Sequence, residues 1–100
     1  MRILASLEAT AYVADHGGRL FVWVKPSLSR CGPAFLEAAV DRPTRLRRGV
    51  PRTFAQVKGA EFELYLAHGN LAAPDELHVE LVGQRRIKAF WNGHAYVGLH

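Results

Sequence analysis

Leu20-Phe21-Val22-Trp23-Val24 is the stretch whose reading decides the fold. It is a continuous apolar run rich in β-branched and aromatic residues. Such a run predicts a strand covered on both faces rather than one side of a two-faced sheet. Pro26 closes it on one side and Gly17-Gly18 opens it on the other. Before the glycines, Ile3, Leu7, Ala11 and Ala14 fall on one helical face, so residues Ile3 to His16 read as a helix. Gly17-Gly18 is then its natural stop.

Downstream the period stays short. Phe35 to Val40 reads as a second strand, although its alanines leave a helix as competitor. Asp41 to Thr53 holds Pro43, Gly49 and Pro51 among arginines and reads as a long irregular connection. Phe54 to Val57 and Glu61 to Leu66 flank Lys58-Gly59-Ala60, which suits a tight hairpin. Phe62, Leu64 and Leu66 alternate with Glu61, Glu63 and Tyr65, and Leu77, Val79 and Leu81 with His78 and Glu80. Both are half-buried strands by their period of two. Gly83-Gln84 fits a two-residue hairpin turn, Ile87, Ala89 and Trp91 alternate again, and Asn92-Gly93 is a strong turn signal before a last strand over Ala95 to Leu99. The expectation is a mainly β fold (α+β in detail). One N-terminal helix leads into a mixed β-sandwich or open barrel of six or seven short strands, in a single domain over residues 1–100.

The composition agrees. Hydrophobic residues make up 49% and charged residues 22%, which excludes an intrinsically disordered chain. No apolar run approaches the roughly 20 residues that span a bilayer, and the start of the chain lacks the apolar block of a signal peptide. One cysteine forms no internal disulfide, which favours a reducing compartment. The expected setting is cytoplasmic, with no membrane partner.

The order of these elements, with Gly59-Ala60-Glu61-Phe62-Glu63-Leu64-Tyr65-Leu66, Asn70 to Leu81 and Ile87-Lys88-Ala89-Phe90-Trp91-Asn92-Gly93, resembles the HesB/IscA-like domain of A-type iron–sulfur assembly and carrier proteins. The resemblance implies that fold and places the family's first cysteine, in its Gly/Ser-rich loop, at Cys31. Family carriers also bear a Cys-x-Cys pair near the C-terminus. Here the tail from Trp91 to His100 has no cysteine, and only Cys31 carries over. A cluster takes about four ligands, usually thiolates. The resemblance therefore implies a member unable to hold a cluster alone, with iron or an iron–sulfur cluster shared between two chains.

Cys31 lies in Ser27-Leu28-Ser29-Arg30-Cys31-Gly32-Pro33. Arg30 favours its thiolate, and Gly32 permits close approach of a ligand or partner. A buried, inert thiol is the competing reading. His94 and His100 bracket the tail where the family's cysteines stand, and histidine replaces cysteine on iron in some clusters. An ordinary turn residue and a fraying terminus are the plainer readings. His78 and Glu80 share a strand face and, with Asp75 or His68, have the chemistry of an N/O metal site. Solvent-facing polar residues explain them as well.

The formal charge is +4, with ten arginines among 13 basic residues. Arg42, Arg45, Arg47, Arg48 and Arg52 cluster in the connection. That stripe suits a phosphate backbone, but no aromatic residue is interleaved to stack on bases. No nucleophile signature or phosphate-binding loop is present, which points away from an enzyme. Three functions follow as expectations: a non-enzymatic module in iron or iron–sulfur handling, with iron–sulfur assembly proteins or a second copy of the chain as partners; a metal-free protein-interaction or structural module; and nucleic-acid binding through the arginine-rich loop.

Overall fold

The computed structural model describes residues 1–25, 34–44, 50, 53–69, 71–83, 85–94 and 96–97. Their fold is mainly β with one helix. The strands are β1 (Arg2–Ala5), β2 (Arg19–Lys25), β3 (Ala34–Ala39), β4 (Ala55–Val57), β5 (Glu63–Ala67), β6 (Glu76–Val82), β7 (Arg86–Trp91) and β8 (Tyr96–Val97), with α1 (Leu7–Asp15) between β1 and β2. They form two mixed sheets. One has the order β1-β6-β7, the other β4-β5-β2-β3-β8. Both contain a parallel pair, β1 with β6 and β2 with β5, beside antiparallel neighbours.

Strand β2 occupies the middle of the larger sheet and is covered on both faces, as its unbroken apolar run predicts. Leu20 and Val22 enter the main core with Leu64 and Leu66 of β5, Leu77 and Val79 of β6, Ala89 of β7, and Ala9 and Val13 of α1. Phe21 and Trp23 turn to the opposite face, against Val50 and Ala67. Val24 joins Trp91 and Val97 in a third cluster at the end of the strand.

The first element differs from expectation. The helix does not start at Ile3. Arg2–Ala5 is a strand, and the helix begins after Ser6, whose side-chain oxygen accepts from the Ala9 amide at 3.1 Å. Ser6 caps the helix and Glu8 lies in its first turn, where a negative charge suits the helix dipole. The apolar positions Ile3 and Leu7 share a helical period only because strand and helix abut. At the other end, Gly18 returns its amide to the Val13 carbonyl at 2.8 Å, with positive φ at both glycines.

The connection between β4 and β5 is longer than a tight hairpin, because pairing closes at Val57 with Leu64. The β6–β7 pairing closes at Val82 with Arg86, leaving three residues rather than two in the turn. Asn92-Gly93 forms the predicted turn, with both residues at positive φ (49° and 82°) as a type I′ turn requires. Trp91 and His94 exchange backbone hydrogen bonds across it at 2.8 Å each. The chain then leaves β7 and pairs β8 with β3 in the other sheet.

Two substitutions separate core from cap. Leu66, 2% exposed in the main core, should lose about 2–5 kcal/mol of unfolding free energy as Leu66→Ala. Ser6→Ala should cost about 1 kcal/mol. Urea denaturation followed by circular dichroism measures both.

Candidate functional site

Two places collect the residues with chemical potential. The first is the end of the larger sheet at which β2 gives way to the loop bearing Cys31. Lys25 closes β2 and Ala34 opens β3, and the two strands pair from Lys25 with Phe35 to Phe21 with Ala39. Residues 26–33, Cys31 among them, lie outside the described residues, as does His100. What the strands do fix is where that loop and the tail begin. Strand β8 runs antiparallel to β3, with Ala34 opposite Val97. The chain therefore leaves β8 after Val97 at the same end of the sheet at which it enters β3 from the Cys31 loop.

His94 belongs to the same neighbourhood. It pairs with Trp91, whose side chain packs with Val24, Val97 and Ala34 beside the loop's two attachment points. His94 itself is exposed. At the base of the loop, Lys25 Nζ lies 2.8 Å from Glu37 Oε1. This ion pair joins the last residue of β2 to the middle of β3, and the sequence reading did not identify it. Because both groups are partly solvated, its value is that of a surface pair, about 0–1 kcal/mol.

The second place is the outer face of the larger sheet. Phe21 and Tyr65 are opposite one another in the parallel β2–β5 pair and stack with centroids 5.1 Å apart and planes at 15°. Phe54 meets Phe21 edge-on at 5.6 Å and Trp23 at 6.4 Å. The Arg42 guanidinium sits over both Phe21 and Phe54, at 5.8 and 5.6 Å from the ring centroids. Val50 is buried in the same cluster. The arginine-bearing connection thus begins and ends on an aromatic surface, although no aromatic residue is interleaved with its arginines. Phe21 is 21 positions before Arg42 in numbering, so only folding brings the two together. Arg45, Arg47, Arg48 and Arg52 lie outside the described residues.

The histidine–carboxylate grouping takes a different form from the one expected. His78 Nε2 is 3.4 Å from Glu76 Oε1, and Glu76 is held from its other side by Arg2 Nη2 at 2.8 Å. Asn92 Oδ1 accepts from the Glu76 amide at 2.9 Å. His68 turns its Nδ1 to the Leu71 carbonyl instead. Among the described residues no three His, Cys, Asp or Glu side chains come together as a metal site, so the N/O grouping of His78 and Glu80 with Asp75 or His68 is not formed. Glu76 is engaged as a bridge between Arg2 and His78. Among the described residues no helix is long and apolar enough to cross a membrane.

The chain matches no protein-family model, and no curated protein or solved structure matches it.

The Arg42 contact is open to direct measurement. Arg42→Ala should lower the unfolding free energy by about 0.5–1 kcal/mol, the value of an exposed cation–π contact. Phe54→Ala, which removes the ring that Arg42 shares with Phe21 and Trp23, should cost more. Paired denaturation curves of the single and double variants would show their coupling.

Proposed function

We propose that the chain is a non-enzymatic module that presents Cys31 at one end of a β-sandwich and contributes it to a site completed by a second chain or by a partner protein of iron or iron–sulfur handling. The observation that carries this reading is the β3–β8 pairing, Ala34 opposite Val97, which starts the C-terminal tail beside the end of the Cys31 loop. That is where a loop ligand and a tail ligand would have to meet. This reading enlists His94 and His100 as nitrogen donors and Cys31 as the thiolate.

The donors of one chain do not fit a whole cluster, since about four ligands are needed and one thiol is present. Sharing between chains is therefore part of the reading. Anaerobic reconstitution with ferric iron, sulfide and a thiol reductant should give a visible chromophore in the wild type at one cluster per two chains. Cys31→Ser should abolish it, and His94→Ala and His100→Ala should weaken it. A colourless wild-type protein ends this reading.

A second reading, binding of nucleic acid, draws support from the arginines of the connection, of which Arg42 is exposed on the outer face of the larger sheet, because a run of cations suits a phosphate backbone. It expects labelled single-stranded DNA or RNA to bind at low salt, with affinity falling steeply as salt rises. Replacing Arg42, Arg45, Arg47, Arg48 and Arg52 with alanine should remove that binding. Absence of binding by the wild type at low salt disposes of the idea.

A further inference from the structure

Asn92-Gly93 carries a reactivity that its role as a turn does not use. An asparagine followed by glycine can cyclise onto the main chain, because glycine has no Cβ to shield its nitrogen. In that reaction the Gly93 nitrogen loses its proton and attacks Asn92 Cγ. The new C–N bond closes a five-membered imide, the Cγ–Nδ2 bond breaks, and ammonia leaves. Water then opens the imide at either carbonyl and is the only co-reactant. The product is aspartate or isoaspartate, in which the main chain runs through the side-chain carbon. Asn92, Gly93 and His94 are exposed, so water reaches the turn. The other asparagine, Asn70, precedes Leu71.

The fold opposes ring closure in two ways. Closure needs Cγ and the glycine nitrogen on the same side of the Asn92 Cα–C bond. A type I′ turn, which the φ values of 49° and 82° define here, sets ψ of its first central residue to about +30°. That angle places the Gly93 nitrogen on the far side of the bond from Cβ. The side chain is also occupied. Asn92 Oδ1 accepts from the Glu76 amide at 2.9 Å, and the Asn92 amide donates to the Glu76 carbonyl at 2.8 Å. A Cβ at Gly93 would lie 3.6 Å from His78 Nε2, so the His78 ring backs the turn.

From this arrangement we propose that Asn92-Gly93 is a self-modifying site that the turn and the Glu76 tie hold closed, and that opening of the turn converts Asn92 to isoaspartate and aspartate. Isoaspartate lengthens the main chain by a methylene. Trp91 and His94 then lose the spacing at which they exchange hydrogen bonds, and β8 loses its approach to β3. A transient opening thereby becomes permanent, where the chain crosses between the sheets. The reaction is independent of what Cys31 binds.

The test holds the full chain at mildly alkaline pH, in buffer and in guanidinium chloride. Peptide mass spectrometry follows each asparagine, and enzymatic methylation measures isoaspartate. In guanidinium Asn92 should convert ahead of Asn70, mainly to isoaspartate. In buffer its conversion should be slower by roughly tenfold or more, because it waits on local opening. Glu76→Pro removes the amide that holds Asn92 Oδ1, and Glu76 is the first residue of β6, a strand position that accepts proline. With an unchanged circular dichroism spectrum, it should convert faster in buffer than Glu76→Gln, which keeps the amide. The comparison of wild type in buffer and in guanidinium decides the matter where Glu76→Pro does not fold. Equal wild-type rates in the two solvents overturn the inference, as does a folded Glu76→Pro that converts no faster than Glu76→Gln. Conversion of Asn70 ahead of Asn92 in guanidinium also overturns it.

Discussion

From Leu20 to Val24, neither face of strand β2 meets water. Leu20, Val22 and Val24 turn toward the smaller sheet and the helix, while Phe21 and Trp23 turn toward Val50, Phe54 and Ala67. Burying a large apolar side chain is worth about 1.5–3 kcal/mol, so this strand brings both layers to one element. The inner layer is an ordinary sandwich core. The outer layer consists of chain rather than of a sheet, and it includes Arg42, Val50 and Phe54. Without that cover, Phe21 and Trp23 would open as an apolar patch on the larger sheet. Arg42 suits the task because a planar cation stacks on a ring while its remaining donors stay in water.

The two ends of the sandwich are built differently. Between the sheets, α1 packs Ala9 and Val13 against Leu77, Val79 and the β2 side chains. Where β2 ends, Val24, Trp91 and Val97 close the core, and the turn at Asn92-Gly93 aims the chain away from β7 toward β3. Asn92 also ties that turn to the start of β6 through Glu76. The sheets are thus joined covalently at the end where the Cys31 loop and the tail begin. A ligand or partner held there would contact both layers.

Much of the fold was legible in the sequence because it rests on local pattern. The unbroken run at Leu20–Val24, the alternation around Leu64 and around Leu77–Leu81, and the Asn92-Gly93 turn each carry their geometry in a few neighbouring residues. Strand β1 was not legible because its apolar positions continue the helical period into Leu7. The sign of the boundary was Ser6, a capping residue followed by Glu8, which the helical reading absorbed into the interior. The parallel pairings β1–β6 and β2–β5 were also beyond reach, since strand pattern states which face is apolar but not which strand lies alongside. The aromatic seat of Arg42 was hidden for the same reason. Phe21 and Tyr65 meet across two strands, and no spacing in the chain predicts it.

The parallel pairing of β1 has a consequence for how the molecule assembles. Ile3 finds its partner at Leu77, after most of the chain has intervened. Contacts so distant in sequence are slow to form, because the intervening loop must be closed before the contact rewards it. During synthesis the first strand emerges early and waits, unpaired, until β6 has left the ribosome. The main core waits with it, since Leu77 and Val79 are among its buried members. The local hairpins β6–β7 and β2–β3 need no such delay. Folding is therefore expected to start from these hairpins and to finish at the N-terminal edge, leaving β1 as the last strand laid down and the first to be released.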